Sequence, residues 1–376
     1  MHATSPNSRP TLLVAAISAR ALAAAARRAG CRVLAADLFC DADTRALAAR
    51  TALIPGDLRS GIDAAAAVPA LEALADGEPV AAVILGSGFE RQPDLVDAVA
   101  RRLPLVGNRA AAIRRVKHPQ ALSADCRALG VPHPAFSLTP PADPRGWLCK
   151  SVGGAGGIHV AEAADAAGGP GRYFQRRVEG RSLSALFVAD GRSAELVGLS
   201  RQWTAPAQAA RYRYGGAVRL CRFDPGRTAM IAGWLSALAG RAGLVGLGSA
   251  DFIDGPDGLQ LVEINPRPGA TLDIFDSAEA PLLAAHLAAT AGRPFTLPRF
   301  ADSMASMVAY TERAIEAFPA LDWPEWTADR QPPGSRLAGG DPVCTVFASA
   351  GSAAAARRAL GRRAAALSTA WQGDAR

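Results

Sequence analysis

The run Asp251-Phe-Ile-Asp-Gly-Pro-Asp-Gly-Leu-Gln-Leu-Val-Glu263-Ile-Asn265-Pro-Arg267 concentrates more chemistry than any other stretch of this 376-residue chain. Two apolar segments flank Asp254-Gly255-Pro256-Asp257-Gly258, the composition of a tight hairpin turn. Pairing across a turn centred near 257 sets Asp251 opposite Glu263, and a strand period of two sets Glu263 and Asn265 on one face. Three oxygen donors then share a patch. Hard cations such as Mg²⁺ or Mn²⁺ accept such oxygens together with those of a phosphate. Arg267, two residues further on, suits a phosphate or carboxylate. An acidic pair on a hairpin usually marks only a wet sheet face. Here Leu259 to Ile264 reads as buried on its other side, and a strand end crowded with Glu, Asn and Arg is unfavourable without a partner.

Lysine is nearly absent. Of 41 Lys and Arg residues only Lys117 and Lys150 are lysines. Lys150 closes the apolar stretch Trp147-Leu148-Cys149 and directly precedes Gly153-Gly154-Ala155-Gly156-Gly157. An ammonium on a flexible stem is a compact point charge, where arginine offers a broad planar fork. It suits a phosphate gripped beneath a moving loop.

The elements that must position these groups are legible in outline. Residues 11–17 read as a buried strand, Ser18 as the cap of a helix to Ala29, and residues 32–36 as a second strand. Residues 80–85 form a later strand, followed by Gly86-Ser87-Gly88-Phe89-Glu90. Strands alternating with helices predict a parallel sheet whose ligands bind at strand C-termini. The Gly86/Gly88 pair lacks the third glycine of a dinucleotide fingerprint. Its turn is expected either to touch a substrate or to present Glu90 as a helix cap. Helices follow at 110–116 and 120–129. From Trp147 the pattern becomes a meander, with strands expected at 147–151, 157–161, 172–178, 183–190, 194–201 and 217–223, and a boundary near 115–120. A helix at 228–242, strands at 248–254 and 259–264, a helix at 281–290, an irregular stretch at 319–342, a strand at 343–348 and a helix at 352–367 complete the reading. Arg201-Gln202-Trp203 and Tyr212-Arg213-Tyr214-Gly215-Gly216 suggest a strand–loop–strand beside the site.

Hydrophobic content of 49% and charged content of 20% describe a globular chain, long enough for two or three domains. The net charge of +7 is scattered in arginine pairs, with no basic run of the kind that binds nucleic acid. No segment has the length of a membrane span. Residues 11–26 resemble a signal-peptide core, but Arg20 interrupts them. Six cysteines without CxxC spacing, and five histidines without a zinc pattern, fit reduced thiols in the cytoplasm.

Lys117, Lys150 with its glycine loop, Gln175-Arg176-Arg177-Val178 and Asp251…Glu263-Ile-Asn265-Pro-Arg267 follow in the order of the ATP-grasp superfamily, which the chain resembles over residues 10–295. That resemblance implies an α/β and α+β architecture. Residues 1–115 would form a Rossmann-like pre-ATP-grasp domain, 116–179 a lid, 180–295 a larger antiparallel-sheet subdomain with the metal site, and 296–376 a C-terminal α/β extension. It implies ATP and Mg²⁺ (or Mn²⁺) as cofactors. Lys117 and Lys150 would contact phosphates beneath Gly153, Gly154, Ala155, Gly156 and Gly157. Gln175, Arg176 and Val178 would contact adenine, and Asp251, Glu263 and Asn265 would hold metal. Lys150 and Arg267 would be catalytic. Many members place a glutamate two residues after the hinge glycine to hold the ribose. Here Gly180 is followed by Arg181-Ser182, so Ser182 or Glu179 must take that role. The implied reaction is amide formation through an acyl phosphate, from a small-molecule carboxylate and an amine, with a homodimer as the assembly. Gly86 to Glu90, Gly107-Asn108 and Gln175 to Ser184 further resemble the tyramine–glutamate ligases of methanofuran biosynthesis. This resemblance implies glutamate and an aromatic amine or amino acid in one-carbon (methylofuran-type) cofactor biosynthesis. Two alternatives are a nucleotide-dependent oxidoreductase built on the first 110 residues and a non-catalytic ATP-binding module.

Overall fold

The computed structural model describes residues 9–58, 60–208 and 210–372. Thr11–Ala15, with every residue buried, is the centre of a parallel sheet. It lies between Arg32–Asp37 and Val80–Leu85, with Arg50–Leu53 at one edge. Both inner faces are apolar because helices cover both sides, as parallel sheets require. The helix Arg20–Arg28 starts one residue later than Ser18 predicts. Its cap residue is Ala19, whose N–H donates to the buried Asp37 carboxylate (2.8 Å), so a side chain from the second strand does the capping. Ser18 instead donates to Asp329 across the molecule (3.3 Å).

The meander folds as two antiparallel sheets. A small one orders Phe136–Ser137, Arg172–Arg176, Trp147–Ser151 and Ala161–Glu162. The strand expected at 157–161 is not formed. Gly156 and Gly157 hold positive φ, and only Ala161–Glu162 pairs. The large sheet has eight strands, in the order Gly258–Asn265, Val245–Gly255, Arg181–Asp190, Ala194–Thr204, Tyr214–Arg219, Ser303–Tyr310, Pro342–Ala350 and Thr327–Ala328. Ser303–Tyr310, Pro342–Ala350 and Thr327–Ala328 therefore extend this sheet, and the helix Ala353–Gln372 packs on Pro342–Ala350. Ser303–Tyr310 escapes a sequence reading because Ser-Met-Ala-Ser-Met carries few β-branched residues.

The large sheet separates two cores. Leu186, Val188 and Leu247 face the helices Arg20–Arg28 and Leu282–Thr290. Ala185, Phe187, Ala250, Phe252 and Ile264 face Pro225–Ala242. Phe252 is fully buried and stacks on Trp234, with ring centroids 6.3 Å apart. Asn108 ties the parallel domain to the hairpin. Its amide donates to the carbonyls of Val245 and Pro266 (2.9 Å each) and accepts from the Val245 N–H (2.9 Å). Truncating Phe252 to alanine removes a buried ring and leaves a cavity. The expected loss is about 3–5 kcal/mol in a urea titration; a shift below about 1 kcal/mol would show the second core to be less cooperative than described.

Candidate active site

The hairpin places its oxygen donors as the pattern predicts. Asp251 pairs with Glu263, and Ser249 with Asn265. The alternation is interrupted between Asp251 and Phe252, where Val262 is an extra residue. This bulge lets Leu261 and Ile264, three apart, both reach the core while Glu263 and Asn265 keep the opposite face. The Val262 carbonyl, turned out by the bulge, receives the Gln175 amide (3.4 Å).

Lys117 ends the helix Ala110–Lys117, where the helix dipole favours a cation. Its ammonium donates to Glu263 (2.6 Å) and to the Asn265 carbonyl oxygen (2.7 Å). The lysine side chain is only 3% exposed against 27% for Glu263, so the pair looks out of the sheet into the cleft from below. The Asn265 amide donates to Asp251 Oδ2 (3.0 Å). Asp251 Oδ1 is buried beside the Ser184 hydroxyl, but neither atom makes a hydrogen bond of good geometry. Burial, and then the like charge of Glu263, raise the Asp251 pKa. For Glu263 burial opposes ionisation, but Lys117, His159 and Lys150 outweigh it and hold the carboxyl at about 2.

Lys150 lies on Trp147–Ser151 and donates to the Gln175 carbonyl oxygen (2.6 Å). Burial lowers its pKa against the pull of Glu263 and Asp251. Gln175 is therefore a buried partner of Lys150. Arg176, one residue on, faces the other way: it is exposed, lies over the Trp147 ring and donates to the Arg145 carbonyl (3.0 Å). The Arg176 side chain thus turns away from Lys150 at the exposed end of a strand in which Tyr173, Phe174 and Gln175 are all buried. Val178 and Glu179 cross the hairpin turn, with the Glu179 carbonyl against Gly255. The Glu179 side chain is exposed and Ser182 is half-buried.

The glycine loop is held down on three sides. A Cβ on Gly153 would lie 2.5 Å from the Glu90 carbonyl, one on Gly154 2.3 Å from the His159 ring, and one on Gly157 2.0 Å from the Tyr212 carbonyl. Gly156 accepts from the Tyr214 N–H (2.9 Å), so the 205–214 loop does lie against the site. Ala155 is half-buried between these contacts. His159, which no sequence motif singles out, accepts from the Ser151 N–H (3.3 Å). Burial, and then the positive charge of Lys150 and Lys117, lower its pKa to about 4, so it is neutral near pH 7.

Arg267 is paired with Glu90 from the parallel domain. Glu90 is 2% exposed and also accepts from the Gly88 N–H (2.7 Å). It is thus not a helix cap: the helix Pro93–Arg102 begins later and has no side-chain cap. This cross-domain pairing is invisible in local sequence.

The fold is the ATP-grasp fold, a parallel N-terminal sheet joined to a small and a large antiparallel sheet. Residues 120–271 match the family model described as the ATP-grasp domain. No curated protein matches the sequence. Among solved structures, the chain is similar to Rhizobium etli pyruvate carboxylase (TM-score 0.71, 14% identity), covering 95% of this chain and 39% of that one. It thus spans about two fifths of that enzyme. It is also similar to the biotin carboxylase domain of Hydrogenobacter thermophilus 2-oxoglutarate carboxylase, solved as a dimer with MgADP, ADP and bicarbonate (0.70, 14%, covering 91% and 86%). The L-amino acid ligase of Bacillus licheniformis matches over 95% of this chain and 97% of its own (0.67, 12%). Among the described residues no helix is long and apolar enough to cross a membrane, and the six cysteines are unpaired.

The packing of the glycine loop is directly testable. In Gly157→Ala the new methyl collides with the Tyr212 carbonyl, and the positive φ of 74° strains any side chain. The 205–214 loop should separate, and trypsin should cleave after Arg211 and Arg213 faster than in the parent protein. An unchanged cleavage rate would contradict the contact.

Proposed function

We propose that the protein is an ATP-dependent carboxylate–amine ligase. The observation that carries this reading is the cluster of Lys117, Glu263, Asn265 and Asp251. It is a built site for a cation and a triphosphate, with one buried carboxylate oxygen of Asp251 left unbonded. Among the described residues no group of three His, Cys, Asp or Glu side chains is arranged to hold a metal ion. The donor set is two carboxylates and an amide, which fits a hard cation that arrives with phosphate oxygens to complete its shell. Asp251, Glu263 and Asn265 would hold it, and Mg²⁺ there would neutralise phosphate charge and orient the γ-phosphoryl group.

The chain's own residues do the rest. Lys117, now bonded to Glu263 and Asn265, is placed to turn its ammonium to a phosphate oxygen. Lys150, braced by Gln175, adds a second charge beneath Gly153 to Gly157, whose closure excludes water from an activated acyl group. Arg267 is held at the strand end by Glu90 and stabilises the phosphoryl oxygens in transfer. A substrate carboxylate oxygen attacks the γ-phosphorus and ADP leaves. The amine nitrogen then attacks the acyl carbon, phosphate departs, and the amine proton is released. Gln175 and Val178 line the adenine side, and Ser182 or Glu179 meets the ribose. Glutamate and an aromatic amine or amino acid, used in methylofuran-type cofactor synthesis, are the substrates this reading favours. A homodimer is the assembly it favours, and the cytoplasm the compartment.

An oxidoreductase built on the first sheet is disfavoured by packing. Gly88 abuts Ile17 and Ile62, and the Glu90 carboxylate occupies the backbone N–H there, so the Gly86–Glu90 turn offers no pyrophosphate cradle. A module that only binds ATP would not need a buried Glu90 to orient Arg267.

The test is mass spectrometry of products after incubation with Mg·ATP, glutamate and a mixed amine pool, with bicarbonate as a separate arm. An amide plus equimolar ADP is expected; ADP formed only with bicarbonate would refute the ligase. In the same assay Glu263→Ala should abolish turnover, and Lys150→Ala should slow it roughly 10²–10³-fold, the scale for one fixed electrostatic donor. Near-normal rates in both would remove these residues from the mechanism.

A further inference from the structure

A second cavity, about 220 Å³, begins where Arg267 ends and is used by none of the steps above. Pro268, Gly269 and Ala270 form its near edge. Its floor is the C-terminal side of the parallel sheet, at Ala16, Ser18, Gly86 and Ser87, the position where open α/β sheets bind ligands. Leu22, Phe39, Met307 and Val308 make its walls largely apolar.

The charges lining it do not balance. Arg20 is the sole cation among them, against Asp41, Asp273 and Asp329. Arg20 forks onto both oxygens of Asp273 (2.6 and 2.7 Å) and also donates to both oxygens of Asp329 (3.0 and 2.9 Å). Asp329 accepts in addition from Thr345 (2.6 Å) and Ser18 (3.3 Å), which fix it at a positive φ of 54°. Asp273 retains unused lone pairs on both oxygens. Asp41, buried and capping the helix Ala42–Leu47, feels the same excess: burial first, and then the neighbouring Asp329, lift its pKa to about 6. One further group has unmet bonding capacity. The Tyr214 hydroxyl on the cavity wall is sealed from solvent and lies beside Ser306 without a hydrogen bond of good geometry. Native interiors rarely leave such a group without a partner.

We propose that this cavity is the acceptor subsite, and that it selects a primary ammonium carried on an apolar or aromatic body. The inference rests on the ligase reading and specifies which substrate stands on which side of Arg267. Excess negative charge behind apolar walls attracts a cation and repels the carboxylate partner, which is left to the Lys150 side. Asp329, Met307 and Thr345 all come from the strands and loop after residue 300. The C-terminal segment, whose place the sequence leaves open, thereby becomes the part of the chain that chooses the amine.

The proposal is tested on the full-length protein in two stages. Binding of 2-phenylethylamine, N-acetyl-2-phenylethylamine and 3-phenylpropanoate is measured first by calorimetry without ATP. Only the free amine should bind. Asp273→Asn removes one charge facing the cavity, and Ala21→Phe fills its mouth from a half-buried position on the helix. Each should weaken the amine about tenfold or more, for Asp273→Asn the scale of one lost charge-assisted hydrogen bond and for Ala21→Phe through loss of space. In turnover, each should raise the amine KM by that factor relative to the KM for ATP. Preferential binding of 3-phenylpropanoate, or amide synthesis with an unchanged amine KM in both variants, would overturn the subsite while sparing the ligase. Amine binding by the parent protein, weakened in both variants, with no amide formed by the parent from any acid, would spare the cavity's cation preference and overturn its role as a substrate site.

Discussion

A nearly buried ammonium set between Glu263 and Asn265 is the constraint around which the molecule is arranged. A desolvated lysine charge is tolerated only when paired and hydrogen-bonded on most of its donors. Two bonds of 2.6 and 2.7 Å meet that need, and they join the end of one helix to the far strand of the large sheet. Asn265 in turn holds Asp251 through its amide, so three side chains from two strands are fixed by one cation. In the proposed reaction the same set of oxygens would take a metal once the ammonium turns away to a phosphate. The resting structure therefore keeps the site assembled and charge-neutralised without committing it.

Around this centre, the other parts divide the labour by distance along the chain. The small sheet brings Lys150 and the glycine loop over the oxygens, and the 205–214 loop presses on that loop from outside. The parallel sheet contributes Glu90 to aim Arg267, and its C-terminal side opens into the acidic cavity. Arg20 closes the far wall by joining the first helix to Asp273 and Asp329. Each domain thus supplies one charged group that reaches into another, which makes the cleft rather than any single core the place where the domains are coupled.

Much of this was legible before any coordinates. The hairpin followed from a turn sequence between two apolar runs, and the Asp251–Glu263 register from counting outward from it. The lysines stood out because arginine had replaced lysine everywhere else. What local pattern could not supply were contacts between distant segments. His159 beneath Gly154, Glu90 on Arg267 and Asp329 on Arg20 are set by tertiary packing, and no spacing announces them. The bulge at Val262 was hidden because Leu-Val-Glu-Ile satisfies a strand pattern with or without an extra residue. The strand Ser303–Tyr310 was missed for want of β-branched residues, and with it the fact that the C-terminal segment completes the central sheet.

The central claim is that Lys117 shares its oxygens with a cation that accompanies a triphosphate. A crystal structure of the full chain with Mg²⁺ and a non-hydrolysable ATP analogue tests it most directly. The account predicts metal density bonded to Asp251, Glu263 and Asn265, with the Lys117 ammonium moved onto a phosphate oxygen. A nucleotide bound elsewhere, or in this cleft with Lys117 still on Glu263 and no metal among the three oxygens, would contradict it.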